Sequence, residues 1–578
     1  MKIKNILYAA LTLAVSSMLT SCEEMFGGFL DKQPSNELTE EQTFSDWTTT
    51  KQFHYDTYNF LRHGSGRINL TWLDAATDLG ETSFTAGVKM SFNIGNYYGG
   101  GGYNELSGTW EHYYRGIRKC NMIIERAADV PIAANSSEAE QNAEVTQIVA
   151  EARFLRAYFY WEMFLRYGPI PIVRTVLNPD GDLLTGYLQR PTLKEYVVDF
   201  VMAELKACEP DLRDVNREGY VCKPIASALY SRIALYMASP RFGTESGITW
   251  QDAADAAEVF KTAYGSDYSL FTISDATNSA YTYAILRTAH SDNNQEAIFF
   301  RNDGRVSWSF IVYDTPVGEG GMGGLCPSQN LIDMYDMADG SAPFTTYDET
   351  GAPVYNGLTP TINTASGYSD ADMWTNRDPR LESTVLHQGS TWGNGTINVI
   401  RGQRDNPLGN AYSTPTGYYV AKYSPEGILD NNHTAYGFCN WQIIRFAEIL
   451  LNEAEALNEI HGPTQQVYDN LNLIRHRAGI TGNVEDRSDL TTKEAMRNFI
   501  RKERAVELCF EEHRWWDVRR WNVAKEALSR PIYGIDVAAD GTITRKIAQE
   551  RVFEERMYLY PIPEAEEWKT DIENNPGW

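Results

Sequence analysis

Residues 497–521 read RNFIRKERAVELCFEEHRWWDVRRW, and the architecture of the whole chain hangs on them. The stretch holds neither Gly nor Pro and is built mostly of good helix formers. Phe499, Val506, Cys509, Phe510, His513 and Trp516 recur at the three-and-four spacing of a buried helical face. Ile500, Leu508, Trp515 and Val518 form a second apolar row. A helix apolar on two sides packs between neighbours and does not lie on a surface. The spacing therefore predicts one long helix sandwiched in a helical stack. Its charges are ordered too. Glu511, Arg514, Asp517 and Arg520 stand three apart with alternating sign, and Arg504 precedes Glu507 by three, which predicts pairs along the helix. Such a density of charge can build an active site or a ladder of paired charges; the alternation favours the ladder.

On either side helical periodicity continues. Trp441 to Ile460 (WQIIRFAEILLNEAEALNEI) and Val467 to Ala478 precede the stretch. In the N-terminal half, helices are predicted at Trp47 to Leu61, Trp110 to Arg126, Ala143 to Tyr167, Leu193 to Cys208, Pro224 to Ser239 and Trp250 to Tyr264. Their lengths and small/large alternation resemble tetratricopeptide units, although no exact 34-residue consensus recurs. The expected fold is mostly α: a tetratricopeptide-like helical stack with a loop-rich half carrying short strands. Helical units fall mainly in 45–264 and 440–530. Residues 265–435 are dense in Gly, Pro, Asn, Asp, Ser and Thr, with helical spacing only at Gln329 to Tyr335. Loops this long are functional or disordered, and the many aromatics here point to function. The C-terminal YLYPIPEAEEWKTDIENNPGW, Pro-punctuated and aromatic, is expected to be pinned to the body.

The first 21 residues read as a lipoprotein signal peptide. Lys2 and Lys4 precede a short apolar run from Ile6 to Val15, and Leu19-Thr20-Ser21-Cys22 resembles a lipobox whose Cys22 is lipidated. Residues 22–44 are then a leash and docking segment, and 45–578 form one body. Without the signal, 49 basic residues face 77 acidic ones, a balance of −28. That charge opposes nucleic acid, anionic lipid and phosphate-rich ligands and suits a neutral one. The six other cysteines form no C-x-x-C and read as buried thiols; only Cys208 and Cys222 are close enough in sequence to suggest a bridge.

Seven blocks occur in a fixed order: EARFLRAYFYWEMFLRYGPIPIV (151–173), KPIASALYSRIALYMASPRF (223–242), PSQNLIDMYDMADG (327–340), NRDPRLESTV (376–385), IIRFAEILLNEAEALN (443–458), RKERAVELCFEEHRWWDVRRW (501–521) and YLYPIPEAE (558–566). With the lipobox, they make the whole chain resemble the SusD/RagB family of outer-membrane nutrient-uptake lipoproteins. The resemblance implies a helical fold with four tetratricopeptide-like units and a loop-rich ligand-binding half. It also implies a partner, a SusC-like TonB-dependent β-barrel transporter over which the lipoprotein acts as a lid, and a place on the outer membrane facing the exterior.

Oligosaccharide binding needs flat aromatic faces and polar side chains that fix hydroxyls. The loop Asn96-Tyr97-Tyr98-Gly99-Gly100-Gly101-Gly102-Tyr103 offers three Tyr; it reads either as a ligand loop or as a Gly-rich turn whose rings pack on the body. Asp74 and Asp78 precede it as hydrogen-bonding candidates or turn-capping residues. Trp308 in GRVSWSF and Trp392 in GSTWGNG are the further aromatic candidates, whereas Trp374, Trp441, Trp515 and Trp516 read as core. No H-E-x-x-H, G-x-S-x-G or Walker A motif is present, and no calcium-loop motif. The chain is therefore read as a non-enzymatic, cofactor-free binder that delivers oligosaccharide or polysaccharide to its transporter. The same lid serving peptides or another nutrient, or a glycoside hydrolase, are the alternatives.

Overall fold

The computed structural model describes residues 39–578 except 69, 85–87, 102–104, 179–180, 182–188, 216, 273–293, 304, 394, 424–436 and 439. The signal segment, Cys22, most of the leash and Tyr103 lie outside the described residues.

Helices α1 (Trp47–Asp56), α2 (Ser107–Arg126) and α3 (Glu138–Tyr167) open the stack. A π-wound stretch, Lys194–Met202, runs into α4 (Ala203–Cys208), followed by α5 (Lys223–Ala238) and α6 (Trp250–Tyr264). α7 (Phe446–His461), α8 (Gln465–Ala478), α9 (Lys493–Glu507) and α10 (His513–Arg520) complete it, and α11 (Glu564–Thr570) lies near the C-terminus. α2 packs on α3, α5 on α6, α6 on α7, and α7 on both α8 and α9. The architecture is the predicted one, helical with short two-stranded pairings laid over it.

The 30 residues of α3 make it the spine of the first half. It starts on a capping box, Ser137 Oγ accepting from the Glu140 N–H while the Glu140 carboxylate accepts from the Ser137 N–H. It ends at Gly168, whose φ of +69° only a residue without Cβ adopts cheaply. Phe154, Leu155, Phe159 and Trp161 are wholly buried along it. Each large apolar side chain so buried contributes about 2–3 kcal/mol.

Two predicted helices are shorter than their patterns. Trp441–Arg445 is a strand, paired antiparallel with Ala297–Arg301, and the helix begins only at Phe446. All five strand residues are buried, so a run apolar on both faces was satisfied by strand pairing instead of helix. The long helix of residues 497–521 breaks between Glu507 and His513. Phe510 and Glu512 take positive φ of 59° and 64°, so the chain turns a corner there.

The corner is where the buried charges meet. Arg445 binds Glu296 (2.7 Å), Glu507 (2.6 Å) and Glu511 (2.8 Å), and Arg380 binds Glu503 (2.6 Å) and Glu507 (2.8 Å). Lys422 reaches Glu511 at 2.8 Å. Most of the predicted in-helix pairs do not form. Asp517 and Arg520 do pair (2.7 Å), but Arg504 turns to Asp517 (3.0 Å) and Arg514 to Asp78 (2.7 Å). Although burial opposes ionisation, the surrounding guanidinium groups and Lys422 hold Glu511 down to about 2. The charges form a three-dimensional buried network and not a ladder along one sandwiched helix.

A hairpin the sequence reading did not predict, Ile532–Val537 with Ile543–Gln549, packs against the helix Gln329–Met334. Asn330 fixes it, donating to the Pro531 carbonyl (3.0 Å) and accepting from the Tyr533 N–H (2.8 Å). Cys208 and Cys222 are both buried thiols and are not joined to each other.

Candidate functional site

The first predicted loop and the loop-rich half meet on one surface. Gly80–Thr82 pairs antiparallel with Leu325–Pro327. Beyond that pair, the Ser83 N–H donates to the Gly324 carbonyl (2.9 Å) and Ser83 Oγ to the Met322 carbonyl (2.7 Å). Gly323 (φ +72°) and Gly324 (φ +41°) make the approach possible, since a Cβ on either would strike the Tyr412 carbonyl or the Asp314 carboxylate. Asp314 in turn accepts from Trp72 Nε1 (2.8 Å) and from the Leu325 N–H (3.0 Å).

A third segment, residues 404–414, closes over the same place. Arg404 pairs with Glu319, and Asn410 Oδ1 accepts from the Tyr412 N–H (2.8 Å), an Asx turn that fixes the backbone. Tyr412 is 39% exposed, and the ring of Phe84 meets it edge-on at 5.6 Å and 77°. Next to it, Ser413 Oγ is buried and has no hydrogen-bond partner among the described residues. The chemistry is that of a polar-ligand platform: a braced aromatic face with a polar Arg404–Glu319 rim beside it.

The predicted site residues divide between this surface and elsewhere. Trp308 opens a short helix, Trp308–Ile311, whose chain continues directly into residues 312–324 of the platform. Trp392 sits in the hairpin Thr391–Trp392 with Gly395–Thr396, against whose Gly395 the Arg404 guanidinium lies, but its own ring is buried in the main core. Tyr98 is 58% exposed, yet it belongs to another face, where the Gly99 carbonyl accepts from the Glu564 N–H (3.1 Å).

Besides Trp392, whose buried ring offers a ligand no face, three residues are corrected. Tyr97 is buried, stacked on Phe92 at 4.7 Å and tilted against Trp578 at 5.2 Å, so neither ring face is open to a ligand. The Gly-rich turn is packed on the C-terminal segment, which carries its first Tyr inward. Asp78 is buried in a bidentate pair with Arg514 (2.9 and 2.7 Å). Asp74 is buried and accepts from the Glu512 N–H (3.1 Å); burial first, and the nearby Glu512 carboxylate second, push it up to about 7. Both acids brace the corner before α10 and do not face solvent. Sequence reasoning missed Phe84 and Tyr412. Their signal was a Tyr in the turn-rich stretch Gly409-Asn410-Ala411-Tyr412-Ser413, too short to show a period.

Comparison with known proteins agrees with this architecture. Residues 269–578 match the family model described as "SusD family". The chain belongs to the SusD family. Residues 28–237 match a second model, described as "Starch-binding associating with outer membrane". A SusD-like protein of Formosa agariphila is 22% identical over 548 residues, covering 92% of this chain and 94% of that relative. Among solved structures, a SusD-like protein from Bacteroides fragilis is 26% identical, with a TM-score of 0.75 over 95% of this chain and 100% of the other. A laminarin-binding SusD-like protein has the same fold at 21% identity, with a TM-score of 0.57 and coverage of 93% and 100%. Among the described residues no helix is long and apolar enough to cross a membrane.

Proposed function

We propose that this SusD-family protein is a non-enzymatic, lipid-anchored glycan receptor of the outer membrane, facing the exterior through Cys22. It captures oligosaccharides on the loop platform and hands them to a SusC-like TonB-dependent barrel. The observation that carries the reading is the exposed Tyr412 ring, braced edge-on by Phe84 beside the Arg404–Glu319 pair. A sugar's C–H face stacks on such a ring, and the hydroxyls at its edge exchange hydrogen bonds with the polar Arg404–Glu319 rim. Tyr98 offers an outlying contact for longer chains. The net charge favours a neutral glycan for this platform. The named ligand classes of the matched model and of the laminarin-binding neighbour support the same class here.

The test is calorimetric titration of the protein against neutral oligosaccharides and peptides, with products checked for cleavage. Tyr412→Ala is expected to weaken a saccharide at least tenfold, about 1.4 kcal/mol, with unfolding unchanged and no cleavage. Peptide binding in place of saccharide, or released sugar, would refute the reading.

A further inference from the structure

On the face formed by α2 and α11, away from the loop platform, lies a cleft of about 650 Å³. A second cavity of about 320 Å³ shares Tyr114, Arg118, Val173 and Leu177 with it, so the two form one groove along α2. Their volumes fall in the range of small-ligand sites. The floor is rigid. Asn121 donates to the carbonyls of Val173 (3.1 Å) and Thr175 (3.2 Å), and Tyr114 Oη donates to the Pro171 carbonyl (2.8 Å). The aromatic edges of Trp110 and Tyr114 and the side chains of Val173 and Leu177 make the walls apolar.

The charges at the rim cancel, with one exception. Glu111 pairs with Arg115 (3.9 Å) and Glu566 with Lys569 (2.8 Å), and Lys569 also feels Glu111 from the opposite wall. Arg118, exposed where the two cavities join, has no carboxylate partner among the described residues. A groove in a chain of net charge −26 thus carries at its middle, among the described residues, one guanidinium without a carboxylate partner. A guanidinium presents a planar fork of donors that matches a carboxylate in two parallel bonds.

We propose that this groove is a second saccharide site, selective for a uronate-bearing oligosaccharide: the sugar carboxylate is bound by Arg118 and the ring faces lie on Tyr114 and the Val173–Leu177 wall. The proposal rests on the glycan-receptor reading for its ligand class but not on the platform for its residues. It assigns acidic sugar to the groove and neutral sugar to the loops.

The experiment titrates a galacturonate trisaccharide, the neutral galactose trisaccharide and a sulfated trisaccharide into the wild type, Arg118→Gln, Arg118→Lys and Tyr412→Ala. Arg118 is exposed, so thermal unfolding of its variants should match the wild type. The expected result is uronate binding weakened at least tenfold by Arg118→Gln, partly restored by Arg118→Lys and unchanged by Tyr412→Ala, while any binding of the neutral trisaccharide is lost in Tyr412→Ala and indifferent to Arg118→Gln. Neutral-trisaccharide binding weakened by Arg118→Gln as much as the uronate's, tighter Arg118-dependent binding of the sulfated one, or uronate binding indifferent to Arg118→Gln would overturn it. Uronate binding lost in Tyr412→Ala instead would move acidic sugar to the platform, overturning the groove while leaving the receptor function standing. Silence from all three probes would also overturn the groove, and the receptor function would then be judged by the neutral-glycan panel on Tyr412.

Discussion

Arg445 shows what a single residue does in this core. Its guanidinium holds three carboxylates, Glu296, Glu507 and Glu511, in a region without solvent. Arg445→Met would leave those acids with only Arg477, Arg380 and Lys422 between them, and breaking a buried network by one partner costs roughly 3–5 kcal/mol; urea unfolding would measure it. Asp74 works in the opposite sense. The folded chain raises it from its ordinary 3.8 to about 7, so between these values the folded state holds a proton the unfolded state has released. This contribution therefore falls as pH rises toward 7, while Glu511 and Asp336, each held to about 2, contribute stability lost only as pH falls below about 4.5. Asp74→Asn is expected to add roughly 1–3 kcal/mol at pH 8 and nothing at pH 4, read from unfolding midpoints across that range. These roles were not legible in the sequence. Asp78 and its partner Arg514 are 436 residues apart, and an acid bound for a buried pair looks the same in a linear pattern as one bound for a ligand.

At the scale of elements the reading succeeds where a period runs long. The 3.6-residue spacing over Ala143 to Tyr167 found α3, and the cap at Ser137 then set its true start at Glu138. Ser137→Ala removes the Oγ acceptor and should cost about 1 kcal/mol, seen as a lower unfolding midpoint. Short runs misled. Trp441–Arg445 joins an apolar strand to a helix without a Gly or Pro between them, and five apolar-leaning residues fit either period. The corner at residues 508–512 carries no breaker residue at all. Its left-handed Phe510 and Glu512 are held by tertiary contacts, Glu512 through the pair its carboxylate makes with Arg67 (2.6 Å). Arg67→Ala should therefore loosen the corner, faster amide exchange at residues 508–512 being the readout.

The whole molecule follows from the two scales below it. Helical pairs bury their apolar faces in one stack, buried charges fix where that stack turns, and the loops left over converge because Gly323 and Gly324 let three segments touch. Fold and family were therefore readable from ordered blocks spread along the chain, but the ligand surface was not. Loops meet through contacts between residues 83, 322 and 412, which no local pattern records. The most direct measurement of the central claim is hydrogen–deuterium exchange of the protein with and without a saturating neutral oligosaccharide, the tightest found by titration. Protection confined to residues 80–84, 312–324 and 404–414 is the predicted result. Protection elsewhere with those segments unchanged, or none with any saccharide, would contradict it.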